Sequence, residues 1–148
     1  MRALTSLLEL YPDHMLGRMF RAPMYAALGR RSEVRADCQK VMELLGPGYY
    51  NQAIGSCVWA LATVGEAGEA RRLLDRLAHP PPGVWVDPTI MGNAYGSVGD
   101  IERAMMWYQQ GFDERAPNMA YMKVGAQWDP ARSDPRFQAL MRRMNFPP

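Results

Sequence analysis

Apolar positions along this chain recur with helical spacing, and the recurrence itself repeats. Glycines fall at Gly29, Gly65 and Gly99, 36 and 34 residues apart, and each is followed by a short charged turn and an amphipathic stretch. Each glycine therefore reads as the close of one helix and the hinge into the next. Self-similarity at this length marks stacked helical pairs, because one pair cannot bury its apolar face alone. With the hairpin glycine set at position fifteen, units run over 15–48, 51–84 and 85–118, with a two-residue insertion at Tyr49 and Tyr50. The register fixes further positions. Position twenty, where two helices cross closely, holds Val34, Ala70 and Ala104; position eleven, a large knob in the first helix, holds Tyr25, Leu61 and Tyr95; position twenty-four holds Cys38, Leu74 and Tyr108. Pro47, Pro82 and Pro117 stop the second helix of each unit. In the first unit Arg21 takes an apolar position and Pro23 interrupts the first helix, which predicts a kink or a helix restart.

Both ends predict capping elements. Leu4, Leu7, Leu8 and Tyr11 give residues 1–12 an amphipathic helix, closed by Pro12 as a repeat would be, which puts Met1 inside the second helix of a preceding unit. Either the chain is a piece of a longer protein, the reading preferred here, or this helix caps the array by itself. Residues 119–148 are the C-terminal cap. Asp87-Pro88, Asp129-Pro130 and Asp134-Pro135 each join an N-cap acceptor to a proline at the first helical position, and so mark helix starts. Beyond the last of them Phe137, Leu140, Met141 and Met144 recur at i, i+3, i+4 and i+7, one stripe able to cover the end of a stack. The fold expected is all-α, in a single domain of 148 residues.

Composition narrows the function. The formal net charge is +2, with both signs mixed. Arg30, Arg31, Glu33, Arg35 and Asp37 in one hairpin, and Glu66, Glu69, Arg71, Arg72 and Asp75 in the next, read as solvated faces with local ion pairs, so no nucleic-acid partner is expected. No apolar run approaches the roughly 20 residues that span a bilayer, and the N-terminus lacks a signal-peptide pattern. Neither of the two cysteines sits in a CxxC pair, which favours a reducing, cytoplasmic compartment. His14 and His79 have no neighbouring ligand at metal spacing, and Gly92, Gly96 and Gly99 follow no strand, so their spacing reads as helix packing rather than a phosphate loop. No catalytic residue, metal or cofactor is assigned. Of the twelve methionines, Met19, Met24, Met42, Met91, Met105, Met141 and Met144 mostly fall on helix faces expected to be buried and read as core filling.

The residues from Met91-Gly92 through Tyr95, Gly99-Asp100, Ala104 and Tyr108 to Pro117 resemble the tetratricopeptide repeat, and the resemblance covers nearly the whole chain. It implies a right-handed helical-repeat solenoid of about three helix pairs with N- and C-terminal capping helices. Trp128 to Phe137, read Trp-Asp-Pro-Ala-Arg-Ser-Asp-Pro-Arg-Phe, is similar to the ending of many bacterial tetratricopeptide regions that follow an effector module. That implies an N-terminal effector domain outside this chain. The family packing also implies that Cys38 and Cys57 face each other across a helix contact, buried and inert or, alternatively, a redox-sensitive pair.

In such a stack the first helices line a groove. Carried over by position, its residues are Leu16, Met19, Pro23, Ala26 and Ala27, then Gln52, Gly55, Trp59, Ala62 and Thr63, then Val86, Thr89, Asn93, Gly96 and Ser97. Leu16, Met19, Gln52, Trp59, Thr63, Thr89, Asn93 and Ser97 are the contact candidates. Trp59, an aromatic among small neighbours, has the composition of a binding hot spot, or else packs on the adjacent helix; Asn93 offers an amide for a peptide backbone. No lysine or arginine stands at these positions, so the carboxylate-gripping activity known in the family is not expected. The resemblance implies a non-catalytic scaffold that binds an apolar or neutral polar protein segment, with self-association as a homodimer the alternative.

Overall fold

A computed structural model describes residues 2–145; the expectation for Met1 lies outside them. Among the described residues are eight α-helices: α1 (Arg2–Leu10), α2 (Met15–Ala27), α3 (Arg31–Leu45), α4 (Asn51–Thr63), α5 (Ala67–Ala78), α6 (Pro88–Ser97), α7 (Ile101–Asp113) and α8 (Pro135–Arg143). Two 3₁₀ segments, Pro117–Tyr121 and Ala126–Ala131, separate α7 from α8. Among the described residues there is no strand. The chain divides into two compact units, Met1–Val84 and Trp85–Pro148, at the boundary drawn between the second and third repeats.

Three antiparallel hairpins, α2/α3, α4/α5 and α6/α7, close through one turn geometry. Gly29, Gly65 and Gly99 take φ of 67°, 81° and 88°, the left-handed region where a Cβ is penalised. In each turn the next residue's N–H reaches five back to the position-eleven carbonyl: Arg30 to Tyr25 at 2.9 Å, Glu66 to Leu61 at 2.9 Å, Asp100 to Tyr95 at 3.0 Å. The glycine N–H bonds three back in all three, at 3.0 Å, completing a Schellman cap that satisfies the last carbonyls of the first helix. The position-twenty residues Val34, Ala70 and Ala104 are fully buried. The three hairpin glycines and the buried position-twenty residues thus fall in equivalent places in the three hairpins.

Within unit 1, α2 runs through Pro23 without a restart. The proline has no N–H to give the carbonyl of Met19, and the Ser56 hydroxyl of α4 donates to that oxygen at 3.0 Å instead. The predicted restart is absent, and a neighbouring helix supplies the missing bond. Arg21, the other anomaly of this repeat, donates through Nε and Nη2 to both carboxylate oxygens of Asp37, and Arg18 adds a third bond at 2.9 Å. Asp37, expected on a solvated face, is 1% exposed; it is the counter-charge that a guanidinium at an apolar position requires. Arg76 of α5 donates to the carbonyls of Gly46 and Gly48, holding the turn between α3 and α4. Leu8 of α1 is buried, whereas Tyr11 is exposed.

Unit 2 is built on three aromatic rings. Tyr108 lies 5.0 Å from Trp128 and 5.7 Å from Phe137, centroid to centroid, and all three are buried. Phe137 and Leu140 of α8 enter this core, with Met141 and Met144 half-buried against it, so the predicted C-terminal stripe does cover the α6/α7 hairpin. Arg136 adds a bidentate pair to Glu102 of α7, at 2.7 and 2.8 Å. Asp87 and Asp134 cap α6 and α8, accepting N–H bonds from Thr89 and Arg136 at 2.8 Å. Asp129 does not start a helix. It sits inside the second 3₁₀ segment with Pro130, where its carboxylate accepts from Arg132 instead of from a backbone amide.

Candidate functional site

Gln52, Trp59 and Thr63 stand at i, i+7 and i+11 on α4 and so share one face of that helix. Trp59 and Gln52 are half-buried and Thr63 is exposed. The Thr63 hydroxyl donates to the Trp59 carbonyl at 2.8 Å, which leaves its oxygen free to accept from outside. Ser56, flanking this face, ties α4 to α2 through the Met19 carbonyl. On α2, Leu16 and Ala27 are exposed and Pro23 is half-buried. Unit 1 therefore presents an indole, an amide and a hydroxyl on α4, apolar groups on α2, and no lysine or arginine at any of these positions. Such a surface can shelter an apolar side chain and leave a few hydrogen bonds to fix its orientation.

Not every predicted residue reaches that surface. Met19 is 1% exposed and is a packing residue between α2 and α4. On α6, Thr89, Asn93 and Ser97 share a face at i, i+4 and i+8, but their polar groups are largely spent. Thr89 is fully buried and its hydroxyl donates to Asp87 at 2.7 Å, so it is no groove residue. Asp87 also accepts from Asn118 at 2.8 Å, which joins the start of α6 to the first 3₁₀ segment. The Asn93 side-chain oxygen accepts from the Tyr108 hydroxyl at 2.8 Å, and Ser97 donates to its own helix at the Ala94 carbonyl. The hydroxyl- and amide-rich end expected of the groove is thus mostly internal wiring of unit 2. Conversely, Phe20 and Met24 are exposed on α2 and were missing from the expected set. Their signal was present, since they continue Leu16 at i+4 and i+8.

Both histidines have structural partners. His14 N-caps α2, its Nδ1 accepting the Gly17 N–H at 2.9 Å, and His79 ends α5 with Nδ1 2.7 Å from the Asp75 carbonyl. Among the described residues, no three His, Cys, Asp or Glu side chains are placed to hold a metal ion, and no helix is long and apolar enough to cross a membrane. Cys38 and Cys57 are both free and buried. A hydrogen bond with the Cys57 thiol, reinforced by burial, pushes the Cys38 thiol well above its ordinary value, so the two are neighbours and the thiolate is disfavoured. A soluble thiol reagent is accordingly expected to modify neither cysteine in the folded protein and both after denaturation. Rapid native labelling of either one would contradict that.

Comparison with protein-family models, with curated proteins and with solved structures finds no match to this chain.

Proposed function

We propose that this chain is a non-catalytic scaffold of tetratricopeptide-like helix pairs that binds a protein or peptide segment on the face formed by α4 and the adjoining edge of α2. The observation that carries the reading is Trp59, half-buried on that face beside Gln52 and Thr63 and close in kind to the aromatic anchors that dominate interface energetics. The three identical hairpin caps support it as well, since repeated helix pairs are a common way to present an extended recognition surface. With no cationic side chain at the face positions, the ligand is an extended or helical segment with apolar and neutral polar side chains rather than an acidic tail. The likeness of Trp128 to Phe137 to bacterial repeat-region endings adds a setting: the regulatory or assembly part of a larger bacterial protein.

Selection from a displayed random-peptide library, followed by calorimetric titration of the recovered sequences, tests this. Neutral, apolar-rich peptides are expected, and Trp59→Ala should weaken them by about tenfold or more with unchanged helicity. No enrichment, or equal binding by parent and variant, would remove the α4 face as the site.

A further inference from the structure

A second row of unit 1 runs along α2 and shares only Leu16 with the face described around Trp59. Leu16, Phe20 and Met24 of α2 and Leu28 at its C-cap recur every fourth residue and are 41%, 55%, 42% and 62% exposed. These are large apolar side chains in a continuous row, not the isolated exposures common on any surface. No charge interrupts the row, because both arginines of α2 turn away to Asp37. A row at i, i+4, i+8 and i+12 is an i±4 ridge, about 18 Å long at 1.5 Å per residue. Two such ridges interdigitate in the helix packing most common in globular proteins.

We propose that this row is the contact by which a second copy of the chain docks, with the two α2 helices antiparallel about a twofold axis. The sequence of the row is what selects a second copy. Reversed, Leu-Phe-Met-Leu places leucine against leucine and each Phe20 against the partner's Met24, a favourable sulfur–aromatic pairing. Charge agrees. Asp13 stands exposed just before α2, and Arg30 and Arg31 stand exposed just after it. An antiparallel pair brings Asp13 of each copy toward Arg31 of the other and sets opposite helix-dipole ends together, whereas a parallel pair would oppose like charges. Asp13 and Arg31 now contact Lys40 and Glu66 at 2.9 and 2.6 Å, surface pairs that exchange at little cost. Four side chains fall short of the roughly 800 Å² per partner of a standard interface, so the dimer is a weak, reversible one.

Sedimentation equilibrium of the full chain over a wide range of protein concentration tests the proposal. A monomer–dimer equilibrium is expected. Phe20→Asp should weaken it at least tenfold, with helicity and Tm unchanged because the side chain is already exposed. Asp13→Arg should also weaken it, and Asp13→Arg combined with Arg31→Asp should restore it, a recovery that nonspecific apolar clustering cannot produce. A monomer at every concentration, a dimer indifferent to Phe20→Asp, or no recovery in the double variant would each overturn the proposal. Trp59→Ala should leave the dimer intact, so failure here and failure of the peptide-binding reading are separate results.

Discussion

Gly92→Ala is expected to destabilise unit 2 by about 3 kcal/mol, although glycine-to-alanine in a helix interior ordinarily stabilises by roughly 0.5–1 kcal/mol. The inversion of sign comes from one contact. A Cβ on Gly92 would lie 2.3 Å from Cε1 and 2.4 Å from Cδ1 of Tyr108, far inside van der Waals contact. Tyr108 cannot move aside, because its ring is packed by Trp128 and Phe137 and its hydroxyl is held by Asn93 at 2.8 Å. Helix α6 must instead shift away from α7 and open the core between them. Gly68→Ala is the matched control: it lies in α5, a Cβ there would meet nothing within 4 Å, and the substitution should be stabilising. Denaturant unfolding followed by circular dichroism and by tryptophan fluorescence measures both. Trimming the ring in Gly92→Ala combined with Tyr108→Leu should recover part of the loss, although the aromatic cluster is then gone.

Asp37→Ala carries the second large effect, a loss of about 3 kcal/mol, the lower end of the cost of breaking a buried ion pair because the two guanidinium groups keep some solvent. Arg18 and Arg21 have side chains only 16% and 14% exposed, and without Asp37 two like charges are left facing an apolar cavity. A guanidinium is too basic to lose its proton near neutral pH, so deprotonation offers no escape. Replacing all three charges, with Asp37→Leu, Arg18→Met and Arg21→Met, should return most of the stability, since an ion cluster exchanged whole for apolar groups is often neutral. If Asp37→Ala alone unfolds at the parent's denaturant midpoint, the triad is a surface feature and does not hold α2 on α3.

These two positions also show what the sequence could and could not reveal. Helices, turns and register were legible because each rests on local chemistry. Positive-φ glycines at Gly29, Gly65 and Gly99, small residues at Val34, Ala70 and Ala104, and Asp-Pro caps at Asp87 and Asp134 all act within a few residues of themselves. Pairings made across helices were harder. Asp37 sits among charges that are solvated, and only Arg21, charged at an apolar register position on another helix, pointed to its burial. Pro23 reads as a breaker until Ser56, 37 residues beyond Met19, is seen to donate to the freed Met19 carbonyl. Thr89 followed the groove pattern, yet as the second residue beyond the Asp87 cap its hydroxyl was already within reach of that carboxylate. Of the candidate site, the α4 residues Gln52, Trp59 and Thr63 keep a shared and accessible face, whereas the α6 residues carry polar groups that folding itself consumes.

That difference makes one measurement decisive. Backbone and indole amide shifts of the isotopically labelled chain, followed by NMR during titration with a selected neutral peptide, locate the ligand directly. Binding at the α4 face predicts saturable shifts at Gln52, Trp59 and Thr63 and at Leu16 and Ala27, with α3 and α5 unmoved on their outer faces. Shifts confined to those outer faces, or none at any peptide concentration, would contradict a ligand surface centred on Trp59.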